Sequence, residues 1–331
     1  MVLVDEATGE VKWEVQAHSV ETGRYSQALV SLSPDGRFVA TAGIRDQHWT
    51  LWDAASGVVH RVGSKHDGSG ACICRVPNEG HPHVQEGCPI GAHTATLLAL
   101  TFSPCGKQFA TGDRDGAVIV WNAKSWRAEL CMKGGAGWVL ALAFSANGEK
   151  LASWCHQGPC IRVGDAKTGA LLRSIPAHYD CGAWLQFSPI EKNVLAFSAG
   201  EDEIHVWDIA CEKIIRSVKG TSFGVLSPDG RTIATARTPT RDVNLVDVAS
   251  GEVRVVLPGD KGVFSVAFSV DGSKLATGSN DGTCKVPTPH TLNPVRCILH
   301  PTPSTLHPTP YTLHLAPYTI HPTPRTTHPT P

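Results

Sequence analysis

His178, Ser198 and Asp202 are the residue types of a nucleophilic triad, in which an imidazole takes the proton of a hydroxyl while a carboxylate orients the ring. A second set, Cys72, Cys74, His81, His83 and Cys88, supplies five soft donors of the kind that hold zinc. Spacing argues against both. The five candidate ligands are not arranged as Cys-x-x-Cys pairs, and they sit in a polar, glycine-rich insertion at about residues 61–92. A surface loop without metal is the simpler reading. The triad types also recur: His93, Thr111, Asp115 and Trp121 repeat the pattern of His178, Ser198, Asp202 and Trp207. A catalytic centre occurs once, whereas a set that recurs fits a buried polar network whose donors and acceptors satisfy one another. The sequence contains no phosphate-cradling P-loop, no His-Glu-x-x-His motif and no dinucleotide fingerprint, so no cofactor is expected.

The elements that position these residues repeat along the chain. One phrase occurs six times, as LSPDGRFVATA (32–42), FSPCGKQFATG (102–112), FSANGEKLASW (144–154), FSPIEKNVLAFS (187–198), LSPDGRTIATA (226–236) and FSVDGSKLATG (268–278). Its serines, at 33, 103, 145, 188, 227 and 269, are spaced by 70, 42, 43, 39 and 42 residues. A period near 42 fits a four-stranded propeller blade, and the long first interval is one such unit carrying the insertion. Within a unit, an apolar run such as LLALTFS (97–103) reads as a buried strand, and Ser-Pro-Asp-Gly as a tight turn. A second strand pairs back. A third follows, as in AVIVWN (117–122), then a turn such as ASG or KTG and a more polar fourth strand.

These units resemble the WD40-repeat β-propeller family over about residues 1–286, on Trp52-Asp53, Trp207-Asp208, the near match Trp121-Asn122, and the Ala-His or Gly-Asp dipeptides at 17–18, 92–93, 177–178 and 259–260. The resemblance implies an all-β propeller and makes the two His-Thr/Ser-Asp-Trp sets structural tetrads. It also implies a non-catalytic scaffold that binds protein partners where the loops converge on one face. The residues just before each blade's turn aspartate, Arg45, Arg114, Glu201, Arg241 and Asn280, are expected on that rim, with Trp138, Leu140 and Phe264 near the channel mouth. Arginine forks recognise carboxylate or phosphate, and aromatic anchors add apolar contact, so an acidic or phosphorylated peptide is the expected ligand. The bland alternative pairs these arginines with neighbouring acids such as Asp46 and Asp113. Two blades depart from the pattern, with Gly164 and Val246 where tryptophan belongs, and are expected to be less rigid.

Residues 1–17, MVLVDEATGEVKWEVQA, match VNLVDVASGEVRVVLPG (243–259), the last two strands of a blade. They are expected to complete the blade begun by residues 262–286 and so close a six-bladed ring, because Pro287 stands where the third strand should continue. Residues 287–331 hold 12 of the 23 prolines and repeat every seven residues from position 300, which predicts a disordered, polyproline-like tail. The rival readings are an enzyme using the central channel, and a truncated product of a larger protein. With 29 basic and 30 acidic residues among 331, no global field draws the protein to nucleic acid or an anionic membrane. The start lacks the basic and apolar regions of a signal peptide, and the odd count of 11 cysteines suggests free thiols in a reducing compartment, cytoplasmic or nuclear. A monomer within a larger complex is the expected state.

Overall fold

The computed structural model describes residues 2–4, 11–14, 28–43, 49–63, 93, 95–157, 161–177, 184–198, 203–219, 224–236, 242–257, 263–269, 271–279, 283–288 and 291–298. They contain no helix. Strands β1 (Val2–Val4) and β2 (Val11–Glu14) form a two-stranded antiparallel sheet. Six four-stranded antiparallel sheets follow in chain order, each a blade. Blade one comprises β3 (Ala28–Leu32), β4 (Phe38–Gly43), β5 (Trp49–Asp53) and β6 (Val59–Gly63). Blade two comprises β7 (Leu97–Phe102), β8 (Gln108–Asp113), β9 (Ala117–Asn122) and β10 (Ala128–Lys133). Blade three comprises β11 (Ala136–Phe144), β12 (Lys150–Gln157), β13 (Ile161–Asp165) and β14 (Leu171–Ile175). Blade four comprises β15 (Leu185–Phe187), β16 (Val194–Ser198), β17 (Glu203–Asp208) and β18 (Lys213–Lys219). Blade five comprises β19 (Gly224–Leu226), β20 (Thr232–Ala236), β21 (Val243–Asp247) and β22 (Val253–Leu257). Blade six comprises β23 (Val263–Phe268), β24 (Leu275–Ser279), β25 (Thr283–Thr288) and β26 (Thr291–Ile298).

The turn chemistry explains why the phrase repeats. Between the first two strands of a blade, the Ser33 hydroxyl donates to Asp35 Oδ1 at 2.5 Å and accepts the Phe38 N–H at 2.9 Å. The same pair of bonds recurs from Ser227 to Asp229 and from Thr232, and from Ser269 to Asp271 and from Lys274. Ser145 does the same with Asn147. The turn glycines, such as Gly36 at φ +69°, occupy the left-handed region that other residues enter at a cost of about 1–2 kcal/mol. Hydroxyl and N–H donors stabilise the turn carboxylates as anions. Ser269 chiefly, with Ser273, holds Asp271 down to about 2, and the Ser227 and Ser56 hydroxyls hold Asp229 and Asp53 below the usual carboxylate range.

Between blades the contacts are apolar. Trp49 and Leu51 of blade one pack with Leu97, Phe109 and Trp121 of blade two. Val118 and Met132 of blade two pack with Val139 and Leu142 of blade three. Blade three joins blade four through Trp154, Ile161 and Phe197, and blades four to six share a cluster from Ile204 to Leu275. Gly164 is explained at the second of these joints. A β-carbon there would lie 3.2 Å from Met132 Cε, so the thioether of the preceding blade occupies the space beside it. Val246 is likewise buried within its cluster. The expected looseness of these two blades has no counterpart in their packing.

Two expectations about the ends are corrected. Blade six takes its third and fourth strands from β25 and β26, not from the chain's start, and the sheet runs through residues assigned to the tail. Proline is accommodated because the β25–β26 register shifts between Val286 and Thr288, on either side of Pro287, and Pro294 lies in the outermost strand, where one side of the backbone needs no partner. β1 and β2 form their own sheet, anchored on blade one by Trp13, whose indole donates to Ala54 O at 2.9 Å. Residues 299–331 lie outside the described residues. Cys105 and Cys211 are free thiols but Cys131 is disulfide-bonded, so free thiols throughout is also corrected.

Two predictions follow from this packing and turn chemistry. Met132→Ala is expected to cost about 2–5 kcal/mol by opening a cavity, and Gly164→Leu about 1–3 kcal/mol by overfilling the same space. The double variant should lose less than their sum in urea unfolding, because the new side chain fills the cavity. Carboxylates depressed in the folded state contribute stability that is present above their ordinary range and lost as pH falls through the folded value. Melting temperatures should therefore drop between about pH 4 and pH 2, and Asp271→Asn should flatten that drop.

Candidate functional site

Blade two carries a complete buried network. His93 Nδ1 lies 2.7 Å from Asp113 Oδ2 and its Nε2 lies 2.6 Å from Thr111 Oγ1, while the Trp121 indole donates to the same hydroxyl at 2.7 Å. The free oxygen of Asp113 accepts the N–H groups of Asp115 and Ala117. The acid of the tetrad is thus Asp113, fully buried, where the sequence pattern pointed to Asp115, which is exposed. The two aspartates flank one arginine in Asp113-Arg114-Asp115, and only the first lies on the strand beside Thr111. Blade one repeats the inner half of the network, with the Trp52 indole donating to Thr41 Oγ1 at 2.8 Å.

Blade four differs. Trp207 stands opposite Leu195, which puts Phe197, not Ser198, at the register position that Thr111 holds in blade two. Ser198 instead exchanges hydrogen bonds with the backbone of Trp184. His178 and Asp202 lie outside the described residues, as do Arg45, Glu201, Arg241, Asn280 and the five candidate ligands Cys72, Cys74, His81, His83 and Cys88. Phe264 lies in β23, and its side chain is not described.

The joint between blades two and three brings together residues that the repeat does not require. The turn from β8 to β9 nests against the glycine-rich segment leading into β11, with the Gly134 N–H bonded to Gly116 O at 2.8 Å. A β-carbon on Gly116 would stand 2.6 Å from Gly135 O and 3.0 Å from Gly137 O, so only glycine permits this backbone approach. The nesting places the Arg114 guanidinium over the Trp138 indole, 4.5 Å from the ring centroid. Trp138 is 40% exposed, and the His156 ring lies against it at 5.5 Å. Asp113 is occupied by His93 and two N–H groups, so it does not neutralise Arg114, and no ion pair to Arg114 occurs among the described residues. Leu140 is half-buried in the joint between blades three and four.

With this geometry in place, the chain can be set beside known proteins. A family model described as "WD domain, G-beta repeat" matches residues 87–122 and 251–286. Similar proteins include the guanine nucleotide-binding protein subunit beta of Zea mays, 26% identical over 238 residues, covering 64% of this chain and 60% of that protein. The subunit of the same name in Arabidopsis thaliana is 26% identical, covering 59% and 56% of the two chains, and the beta-1 subunit of Nicotiana tabacum is 28% identical, covering 60% and 58%. The chain thus carries WD40 repeats in these two stretches. The matched stretch spans less than two thirds of these relatives' length. The second WD40 match begins at β22 and ends within β25, so the repeat in sequence is offset by one strand from the blade in space.

One pattern qualifies the absence of catalytic signatures. Gly220-Thr221-Ser222-Phe223-Gly224 has the Gly-x-Ser-x-Gly spacing of a hydrolase nucleophile elbow. The described elements on either side of it are both strands, β18 and β19, whereas the elbow joins a strand to a helix. Sequence reasoning also missed His156 and Arg162; the latter is a charged residue in a strand, IRVGD, whose other members are mostly buried.

The network makes a sharp prediction about two neighbouring aspartates. Asp113→Ala removes one half of a buried pair and is expected to cost about 3–5 kcal/mol. Asp115→Ala should stay within about 0.5 kcal/mol of the parent. Thermal and urea unfolding of the two variants, measured side by side, checks the assignment.

Proposed function

We propose that this WD40 chain is a non-catalytic scaffold that binds protein partners on the loop face of its propeller, within a larger complex. The partner segment is an acidic or phosphorylated peptide, held by Arg45, Arg114 and Arg241 with Glu201, Asn280, Leu140 and Phe264 around them, and anchored on Trp138. The observation that supports this reading most is the Arg114–Trp138 stack, an exposed indole topped by a guanidinium with no carboxylate partner among the described residues. A guanidinium beside an exposed aromatic face is the composition of an interaction hot spot, rich in tryptophan and arginine. The indole-to-threonine bond, by contrast, recurs in blades one and two and works within the protein, which leaves the departures from the repeat to carry specificity. The names of the similar plant proteins, each a subunit, agree with a role inside an assembly. The loop-face reading assigns no cofactor, nucleic acid or membrane to the site.

Replacing Arg45, Arg114 and Arg241 together by alanine is expected to abolish capture of the partner proteins that the parent chain retains in affinity purification with mass spectrometry. The unfolding midpoint should stay within about 0.5 kcal/mol of the parent, since exposed charges contribute little to stability. Undiminished capture by the triple variant would remove the loop face from consideration.

A further inference from the structure

The face of blade one turned toward β1 and β2 is covered in its outer half only. β1 and β2 form a sheet of two strands where each later sheet has four, so one edge of β1 has no strand beside it among the described residues. Trp13 of β2 meets the turn between the third and fourth strands of blade one, where a β-carbon on Gly57 would stand 2.7 Å from the indole. Leu130 of β10 makes the same contact with Gly169 of blade three, at 3.0 Å. β2 therefore holds the place of the outermost strand of a blade before blade one, and β1 that of its third strand. The inner half of that blade has no counterpart among the described residues. At the joint of blades two and three, Ala99 and Ala110 from the two inner strands pack together with Leu130 on Leu142, Phe144 and Leu151. The matching residues of blade one are Val30, Leu32 and Val39, and Trp13 alone reaches them from outside their blade in that cluster. Val30 and Leu32 are only half-buried, where Leu142 and Phe144 are buried. The turns between first and second strands differ in the same way. A β-carbon on Gly106, Gly230 or Gly272 would lie 3.5, 2.8 or 3.5 Å from Pro34, Ile190 or Pro228 of the preceding blade, yet one on Gly36 would meet no described atom within 4 Å.

We infer that this face of blade one, together with the open edge of β1, is a docking seat for a β-hairpin of a partner protein, which adds the two inner strands that the β1–β2 sheet lacks. Strand addition of this kind draws affinity from main-chain hydrogen bonds and specificity from alternate side chains. The other joints fix the chemistry of the hairpin. The strand laid on β1 is interior to the completed sheet and must donate to its ladder, which excludes proline. Side chains that meet Val30, Leu32 and Val39 are small and apolar, as Ala99 and Ala110 are in blade two. The turn carries a proline to lie on Gly36, as Pro34 lies on Gly106 and Pro228 on Gly272. A Ser-Pro-Asp-Gly turn between two apolar runs, the phrase that this chain itself repeats, meets all three conditions. Residues 299–331 do not, because their prolines leave a single run of more than four residues, YTLHLA (311–316), and a hairpin needs two. The inference goes beyond the scaffold reading and is independent of it: this seat lies before blade one, whereas the Arg114–Trp138 stack lies between blades two and three.

The probe is a fluorescent synthetic peptide with the sequence of residues 221–236, TSFGVLSPDGRTIATA, titrated with the full chain. Anisotropy should show saturable binding. The same peptide carrying Ile233→Pro and Thr235→Pro, which removes ladder donors, should bind at least about tenfold more weakly. Hydrogen exchange should slow on binding at Val2–Val4 and in β3. Leu32→Asp, which sets a charge on the wall of the seat, should weaken binding about tenfold or more. Leu3→Pro in β1 should do the same if the first variant unfolds. Absence of saturable binding, equal binding of the proline peptide, indifference to both chain variants, or protection that appears only in other blades each overturns the proposal. Two further outcomes overturn it by naming another occupant. Full protection of every Val2–Val4 amide in the free monomer would mean that the chain fills the seat itself, and a dimer that the peptide dissociates would assign the seat to a second copy. If the peptide fails while partner capture still depends on Arg45, Arg114 and Arg241, only this seat falls and the scaffold reading stands.

Discussion

Blades two to five are each packed between two neighbours, and that constraint governs the rest of the molecule. In β9, Val118, Ile119 and Val120 are all fully buried, with Val118 and Val120 packed toward blade three and Ile119 toward blade one. A sheet of this composition has no solvent side and cannot stand alone, so each blade is stable only between neighbours. The same constraint makes an unpaired polar atom in the interior costly. His93, Thr111, Asp113 and Trp121 are all buried, and each finds its partner within the set or on adjacent backbone. It also makes volume a shared quantity between blades: Met132 of one sheet fills the space beside Gly164 of the next, so a missing tryptophan is compensated across the joint.

Local conformation yields where the packing demands it. The turns between third and fourth strands place a residue at positive φ, supplied by Gly57, Gly169 and Gly251 in blades one, three and five. In blades two and four the same position holds Trp126 at φ 59° and Glu212 at φ 52°. Each pays about 1–2 kcal/mol of backbone strain. Trp126 offsets it by burying its ring against Phe38, Trp49 and Phe109, an area worth more than the strain. Among the described residues Glu212 has its 2.7 Å ion pair with the exposed Arg173, which contributes little in water.

How much of this was legible in the sequence depended on whether the signal was periodic. The Ser-x-Asp-Gly turns and the strands around them repeat, and repetition let six weak matches support one another. Asp113 and Asp115 could not be separated that way, because both flank the same turn arginine and only backbone placement decides which carboxylate faces His93. In blade four the spacing of Ser198 to Trp207 resembled that of Thr111 to Trp121, yet the strands pair one residue out of that alignment, and a one-residue slip sends a side chain to the other face. Pro287 read as the end of a sheet because proline lacks a donor, but a register shift beside it removes the need for one. Arg162 was invisible for a different reason: it lies against Gly135, across a loop and two strands, a contact that no local pattern encodes.

A repeat protein therefore divides its residues by recurrence. Those that recur, such as Thr41 and Thr111 beneath Trp52 and Trp121, are committed to holding one blade together, and their chemistry is spent internally. A residue free to meet a partner must be one that the next blade lacks. Gly116 illustrates the mechanism, since only the absence of its side chain lets the turn of blade two sit on the backbone of Gly135 and Gly137. That approach is what lays Arg114 on Trp138 and leaves Asp113 to His93. Had the turn stood farther off, Asp113 would still satisfy the tetrad, but the guanidinium would lose its platform and pay the full rotamer entropy of an exposed arginine on binding. The glycines at this joint therefore act as the turn glycines do: they remove atoms, and here the close backbone approach holds a charged group on its aromatic platform.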